Sequence, residues 1–252
     1  MLLHAFPLSS LVWDRFVPLV APDARVVVVD LPGLGRSATP GVEPQMTQVA
    51  AAVVRVLDHL DLATATFFGL STGGYVALEL ARAAPERVDA LVLGSTTCWL
   101  VPPDDPDERR ATADELERSG SVGCVLDSAA DGLGPTAQHE QPDLLPLLRQ
   151  VISGSDPAGV AWIARAIASR ADTATALHDL DRPVLLLFGA EDTGTPPERG
   201  VAMRALRPAA ATTGLVVLED TGHLTALEQP FRVADVLLRW LRVHHLLIEE
   251  PA

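Results

Sequence analysis

Apolar residues along the chain follow two alternating spacings, which predict strands separated by helices. Runs rich in valine, leucine and phenylalanine have the length and composition of strands at residues 25–30, 65–70, 88–94, 183–189 and 214–219. Longer segments place apolar side chains three and four positions apart, as in helices, at residues 46–60, 73–84 and 231–243. This alternation predicts an α/β fold, with a mostly parallel sheet and helices on both faces. The valine run at residues 25–30 has no polar face, so we expect it to be buried on both sides.

The alternation stops between about residues 97 and 179, where no run has the pattern of a strand. Apolar residues in this stretch follow helical spacing, for example Val160, Ile163, Ala164 and Ile167. Ligands of open parallel sheets bind at the carboxyl ends of the strands. We therefore predict a core of residues 1–96 and 180–252, with residues 97–179 inserted as a helical cap over that edge of the sheet.

Charge and cysteine content narrow the class of partner. The chain has 33 acidic and 19 basic residues, which give a formal net charge of −14. Such a surface repels nucleic acid and anionic membranes, so neither is an expected partner, although a local arginine could hold a small anionic substrate. No segment has the pattern of a membrane span or a signal peptide. Cys98 and Cys124 lack the spacing of a disulfide scaffold or a metal site, so we expect reduced thiols in a cytoplasmic protein without a metal.

A serine between two glycines follows the predicted strand at residues 65–70. The segment Gly69-Leu-Ser71-Thr-Gly73 fits the G-x-S-x-G pattern, and a predicted helix follows it. A serine hydroxyl is a weak nucleophile, so its chemistry needs a sharp turn that exposes it to a base. Glycines leave room for that turn, and the N-terminus of the next helix favours negative charge. Ser71 is therefore a candidate nucleophile, although a serine in a glycine-rich turn can also be structural.

An aspartate and a histidine follow the last two predicted strands. Asp192 comes after residues 183–189, and His223 comes after residues 214–219. Since the carboxyl ends of parallel strands meet at one edge of a sheet, we expect both residues near Ser71. The chain order Ser, Asp, His is the order known for this kind of elbow. Glu191 is a rival to Asp192, and His4 is the histidine nearest to the site among the rivals to His223; we expect His4 to make a structural hydrogen bond.

A second glycine-rich loop matches the dinucleotide-binding pattern. Gly33, Gly35 and Ala38 fit G-x-G-x-x-A after a predicted strand. However, a short segment ending at Pro32 separates the strand from the glycines, and Pro40 stands where the pattern needs a helix. We therefore expect a loop that packs beside the site, and no nucleotide cofactor.

Taken together, these motifs resemble those of the capped esterases, 3-oxoadipate enol-lactonases and cofactor-free haloperoxidases of the α/β-hydrolase fold. The resemblance covers the chain from residue 2 onward. Besides the three candidate catalytic residues, it rests on residues 4–7, Trp13, Asp14, residues 30–37, Gly189, Pro196 and Gly222. The resemblance implies that the backbone amides of Phe6 and Thr72 form an oxyanion hole.

Two features depart from this family. Ala5 stands where its members usually have glycine, so we expect a slightly displaced oxyanion turn. Two strands that usually open the fold are missing at the N-terminal edge of the sheet. Either the true start lies upstream of Met1, or this edge of the sheet is short.

The serine at the nucleophile position sets the expected reaction. The resemblance implies that epoxide hydrolases and haloalkane dehalogenases of this fold use aspartate there, so Ser71 favours acyl transfer. We expect hydrolysis of a small, largely apolar carboxylic ester or lactone through an acyl-enzyme. Perhydrolysis of the haloperoxidase type, carbon–carbon bond hydrolysis, a ligand-binding signalling receptor and a catalytically silent member stay open as alternatives.

Three residues at the entrance of the cap or on a cap helix are candidates for an apolar substrate pocket. They are Cys98, Trp99 and Trp162. Core packing explains each of them equally well. The sequence does not name the substrate, and a homo-oligomer stays open.

Overall fold

Six strands form one parallel sheet in the computed structural model, which describes residues 1–100 and 105–247. The strands are β1 (Leu2–Leu3), β2 (Val28–Val29), β3 (Ala65–Leu70), β4 (Val88–Gly94), β5 (Val184–Gly189) and β6 (Thr213–Leu218). Their order in the sheet is β2-β1-β3-β4-β5-β6, and every neighbouring pair is parallel. Parallel neighbours need crossover connections, which the helices supply. The predicted α/β class with its parallel sheet is confirmed.

Helices follow most of the strands. They are α1 (Val17–Val20), α2 (Met46–His59), α3 (Thr72–Ala83), α4 (Pro106–Ser119), α5 (Ser128–Asp131), α6 (Pro135–Glu140), α7 (Leu144–Ser153), α8 (Pro157–Ala168), α9 (Ala174–Asp179), α10 (Pro197–Leu206), α11 (Thr225–Glu228) and α12 (Pro230–Val243). Short 3-10 helices occupy Ser10–Trp13, Pro85–Arg87 and Gly123–Val125. The three helices predicted from periodicity are α2, α3 and α12, and their bounds differ from the prediction by one residue at most.

The middle of the sheet and its edges differ in burial. All of β5 is buried, as its continuous apolar sequence predicts for a strand with two neighbours. β6 has a neighbour on one side only, and most of its residues are partly exposed. The loop that carries Asp192 therefore follows a fully buried strand, and the loop that carries His223 follows an edge strand.

The strand at residues 25–30 is shorter and more exposed than predicted. Only Val28 and Val29 form β2, and the valines from position 26 to 29 are half-buried rather than buried on both faces. The reason is topological: β2 lies at the sheet edge, and its one neighbour, β1, offers only Leu2 and Leu3 for pairing. An apolar run does not by itself reveal whether a strand has one neighbour or two.

The described part of the segment between β4 and β5 contains helices joined by turns and loops, and no strand, as predicted. We call α4 to α9 the helical insertion. Asp105 and Asp156 cap α4 and α8 by accepting backbone N–H groups of the first turn, each followed by proline at the first helical position. Arg165 of α8 pairs with Asp114 and Glu117 of α4, so the two helices lie side by side. The boundaries of a separate cap stay a prediction.

Some features are absent from residues 1–100 and 105–247. Within those ranges no helix has both the length and the apolar content to cross a bilayer. The same residues contain no group of three or more histidine, cysteine, aspartate or glutamate side chains placed to hold a metal ion. Cys98 is buried and Cys124 is exposed, and both are thiols.

Candidate active site

Ser71 lies on a sharp turn between β3 and α3. Its φ is +54°, a left-handed value that costs a residue other than glycine about 1–3 kcal/mol and needs support from its surroundings. A Cβ on Gly69 would lie 2.2 Å from the carbonyl oxygen of Gly73, and one on Gly73 would lie 2.1 Å from that of Leu3. Thr96 Oγ1 donates to the Ser71 carbonyl oxygen at 2.8 Å. The turn is therefore closely packed, and it leaves Ser71 partly exposed.

Asp192 and His223 contact each other at the same edge of the sheet. The distance between Asp192 Oδ2 and His223 Nδ1 is 2.8 Å, and the side chains are 1% and 19% exposed. Because an ionised carboxylate only accepts hydrogen bonds, Nδ1 carries the proton and Nε2 is the acceptor nitrogen of the neutral ring. Asp192 Oδ1 accepts from the backbone N–H groups of Gly194 and Thr195 at 3.0 and 2.8 Å. The carboxylate is thus held on both oxygens and orients the imidazole.

The loops that carry these two residues pack backbone against backbone. The register of β5 and β6 ends with Gly189 opposite Leu218, so both loops leave the sheet together. A Cβ on Gly189 would lie 2.1 Å from the carbonyl oxygen of Gly222. Glu191 N–H donates to the Thr221 carbonyl oxygen at 2.8 Å. Gly189 is therefore a steric requirement of the contact between the two loops.

The turn after β1 leaves the sheet beside the turn of Ser71. Leu3 pairs with Gly69 in the register of β1 and β3, so the residues that follow these strands are neighbours. Half-buried Phe6 lies in the turn after β1, and buried Thr72 is the first residue of α3. The two residues expected to donate backbone N–H groups to an oxyanion thus flank the same edge as Ser71.

His4 holds this turn through two buried hydrogen bonds. Its Nε2 accepts from Leu31 N–H at 3.0 Å, so Nδ1 carries the proton and donates to the Ala5 carbonyl oxygen at 2.9 Å. Burial lowers the pKa of His4, although the Ala5 carbonyl and the Asp30 carboxylate oppose the shift. His4 is therefore neutral. Ala5 lies outside the left-handed region, so its methyl group adds no backbone strain to the turn.

The loop of Gly33 and Gly35 closes around its own carboxylate. Asp30 accepts from the backbone N–H groups of Ser10 and Arg36 at 2.7 and 3.0 Å. Burial alone would raise the pKa of Asp30, but these two donors, together with the Ser10 side chain and His4, hold the pKa below its ordinary value. A Cβ on Gly35 would lie 2.4 Å from the Asp30 carboxylate. A loop filled by a carboxylate repels a pyrophosphate, which agrees with the expected packing role.

The three candidate pocket residues occupy different environments. Cys98 is fully buried, and burial raises the pKa of its thiol to about 12. Trp162 on α8 is 7% exposed, and its Nε1 donates to the Val42 carbonyl oxygen at 2.9 Å. Trp99 is half-buried, and its carbonyl oxygen accepts from Arg170 at 2.8 Å. Their role as walls of a substrate pocket stays a prediction.

Glu228 is a buried carboxylate that belongs to none of the sequence motifs described above. Its Oε2 accepts from the N–H groups of Gly222 and Gly134 at 2.7 and 3.1 Å, and its Oε1 accepts from Leu224 N–H at 2.9 Å. It is 2% exposed. Burial raises its pKa above the ordinary value, although the three N–H groups and His223 oppose the shift. In the sequence, the one indication that Glu228 is buried is its position after apolar residues on a short helix.

A cavity of about 390 Å³ lies beside Asp192 and His223. Side chains of the helical insertion form much of its wall, together with residues of the loop after β5; they are Ala130, Asp131, Leu133, Pro135, Gln138, Glu191 and Thr193. The insertion therefore borders the contact between Asp192 and His223.

Comparison with known proteins gives consistent results. A family model described as the alpha/beta hydrolase family matches residues 1–236. A thermophilic esterase from Thermogutta terrifontis, whose structure has malate bound, has a TM-score of 0.90 and 32% identity, with 97% of this chain and 89% of that chain covered. The 3-oxoadipate enol-lactonase 2 of Acinetobacter baylyi is 27% identical over 86% of this chain and 79% of that protein.

A longer relative shows the same similarity over part of its length. The dihydrolipoyllysine-residue acetyltransferase component of the acetoin cleaving system of Pseudomonas putida is 30% identical over 248 residues. The match covers 96% of this chain and 63% of that protein, so the chain spans less than two thirds of this relative. The family model, which matches most of the chain, confirms the predicted resemblance: the chain belongs to the alpha/beta hydrolase family.

Proposed function

We propose that the protein is a serine hydrolase that cleaves a small carboxylic ester or lactone through an acyl-enzyme on Ser71. The observation that carries the proposal is the contact of 2.8 Å between Asp192 and His223, on loops at the sheet edge where the strained turn of Ser71 lies. The names of the similar esterase and enol-lactonase support an ester or lactone as the substrate. Residues 97–179 would serve as a cap, with Cys98, Trp99 and Trp162 in its substrate pocket.

Acylation begins with attack by Ser71. His223 Nε2 takes the hydroxyl proton while Ser71 Oγ bonds to the substrate carbonyl carbon, and the carbonyl electron pair moves onto oxygen. The backbone N–H groups of Phe6 and Thr72 would stabilise this oxyanion, and such a donor contributes about 3–4 kcal/mol. The bond to the alkoxy leaving group then breaks, and that oxygen takes the proton from His223. Asp192 stays ionised and stabilises the imidazolium.

Deacylation repeats these steps with water. His223 takes a proton from water as the water oxygen bonds to the acyl carbon, and the bond to Ser71 Oγ breaks. Ser71 recovers its proton from His223, and the acid is released. With a lactone, the alcohol and the acid are parts of one product.

The experiment that tests this proposal compares initial rates for wild type and Ser71→Ala on p-nitrophenyl esters and simple lactones. We expect repeated turnover by wild type, and a kcat that falls by roughly four to six orders of magnitude in Ser71→Ala. Ser119→Ala is the matched control, because Ser119 lies on the surface at the end of α4. Its rates are expected to equal those of wild type.

Two outcomes would contradict the proposal. One is a folded wild type that turns over none of the esters and lactones. The other is a Ser71→Ala variant as active as wild type. A single turnover followed by a stable product complex would instead favour the signalling receptor.

A further inference from the structure

Glu228 contacts the backbone on both sides of His223. Its carboxylate accepts from Gly222 N–H at 2.7 Å and from Leu224 N–H at 2.9 Å, the residues immediately before and after the histidine. By holding these two N–H groups, one buried carboxylate fixes the peptide plane between His223 and Leu224 and the plane between Thr221 and Gly222. The direction in which the imidazole leaves the backbone therefore depends on Glu228.

The same carboxylate also holds the helical insertion. Glu228 Oε2 accepts from Gly134 N–H at 3.1 Å, just before α6. Leu224 N–H also lies 3.2 Å from the Gly132 carbonyl oxygen, and a Cβ on Gly222 would lie 2.1 Å from Gly134 N. Residues 132–136, which we call the docking segment, thus pack directly on the loop of His223.

Glu191 also holds the docking segment. Its carboxylate accepts from Thr136 N–H at 3.0 Å and from Thr136 Oγ1 at 2.5 Å. Glu191 precedes Asp192 in the chain, but its carboxylate makes neither of the two bonds that flank His223. The two glutamates therefore share one partner segment and differ in their contact with the histidine loop.

We infer that Glu228 is a positioning residue for His223, and that it makes the position of His223 depend on the docking segment of the insertion. This inference rests on the proposed function, in which His223 is the base. It follows that the insertion is fastened beside the histidine, so displacement of residues 132–136 disturbs catalysis without any contact to substrate.

Glutamine at position 228 tests the inference with little change in size. Glu228 uses both oxygens as acceptors, Oε2 for two N–H groups and Oε1 for one. An amide keeps one acceptor oxygen, so in either orientation its NH₂ group faces at least one backbone N–H. Glu79→Gln is the matched control, because Glu79 is as buried as Glu228, at 2% exposure, and its two carboxylate oxygens accept from Arg82 on α3 rather than from the His223 loop.

The measurement is kcat per active serine, with active sites titrated by a fluorophosphonate and KM determined in the same assay. We expect kcat per site to fall about 10- to 100-fold in Glu228→Gln, with KM within about threefold of wild type, because a misplaced base slows the chemical step. We expect Glu79→Gln to keep kcat per site within about threefold. A purely structural role would lower the number of active sites and leave kcat per site unchanged.

A second variant acts from the insertion. A Cβ on Gly134 would lie 2.4 Å from Glu191 Oε2 and 2.7 Å from Gly222 N, and the φ of Gly134, −65°, is open to alanine. Gly134→Ala is therefore expected to push the docking segment away while Glu228 stays in place, and to lower kcat per site as well. It carries the test if Glu228→Gln does not fold.

The outcomes separate this inference from the proposed function. Wild type that turns over and is labelled at Ser71, with unchanged kcat per site in Glu228→Gln and Gly134→Ala, overturns the inference alone. Equal losses of kcat per site in Glu228→Gln and Glu79→Gln also overturn it, because the effect would then not pass through the His223 loop. Wild type without turnover or labelling overturns both.

Discussion

Two loop regions flank Ser71. A buried neutral histidine holds one of them in place, and a buried carboxylate holds the other. On the Phe6 side (residues 4–7 and 30–37), neutral His4 donates one hydrogen bond and accepts one. On the His223 side (residues 190–195 and 221–228), the Glu228 carboxylate accepts three. The two sides therefore respond oppositely to protonation. On the His223 side, the buried Glu228 carboxylate and the half-buried Glu191 carboxylate join the loops to the insertion through hydrogen bonds.

The largest expected effect is a difference in kcat between Asp192→Asn on the His223 side and Asp30→Asn on the Phe6 side. Asp192→Asn can present an NH₂ group to His223 Nδ1 and favour the wrong tautomer, so we expect kcat to fall about 10⁴-fold. Asp30→Asn sits among backbone donors away from the imidazole, so we expect kcat within about tenfold of wild type. Its free energy of unfolding should fall by about 1–3 kcal/mol, because a buried N–H loses its acceptor. Steady-state kinetics and urea unfolding measure both quantities, and equal losses of kcat would contradict the comparison.

The pH dependence of stability should have opposite signs on the two sides. Burial holds the pKa of His4 below its ordinary value of 6.5, so below that pH the unfolded chain binds a proton that the native protein does not. His4 therefore contributes stability above about pH 6.5 that is lost as the pH falls. Burial raises the pKa of Glu228 above its ordinary 4.5, so the native state binds the extra proton, and stability falls as the pH rises through the raised pKa.

Urea unfolding between about pH 5 and pH 8 checks these signs, with His4→Gln and Glu228→Gln as the variants that remove each titration. As the pH falls, wild type should lose stability relative to His4→Gln and gain stability relative to Glu228→Gln. Each slope is at most about 1.4 kcal/mol per pH unit, the value for one proton. Parallel slopes in the two variants would show that the two groups do not differ in this way.

The smallest expected effect concerns Ala5 on the Phe6 side. Because Ala5 lies outside the left-handed region, glycine should change kcat/KM by less than about threefold. Ala5→Gly should lower the free energy of unfolding by about 0.4–1 kcal/mol, since glycine gives the unfolded chain more freedom. Ester hydrolysis and thermal unfolding test the two values. A tenfold gain in activity would show instead that the alanine methyl group displaces the oxyanion turn.

The sequence predicts well which residues meet at the carboxyl edge of the sheet. Ser71, Asp192 and His223 each follow a strand, and parallel strands bring such residues to one edge. Helices with a clear apolar period were predicted to within one residue. The β2 strand was predicted too long, because the valine run carries no information about the number of neighbouring strands.

The support of His223 could not be predicted from sequence pattern. Glu228 meets Gly134 across 94 positions of the chain, and no motif records that contact. The contact depends on two glycines whose backbones touch, and glycine at a loop position usually indicates a turn. Glu191 stands next to Asp192, so the sequence presents it as a rival to Asp192, whereas its carboxylate holds Thr136 of the insertion.

The central claim is that Ser71 is an activated nucleophile, and covalent labelling tests it most directly. Wild type and Ser71→Ala are treated with a fluorophosphonate, and intact mass and peptide mapping locate the adduct. We expect one adduct per chain in wild type, on the peptide that contains Ser71, and no adduct in Ser71→Ala. Asp192→Asn should react much more slowly than wild type. An adduct at another residue, or no adduct on folded wild type, would show that Ser71 is not an activated nucleophile.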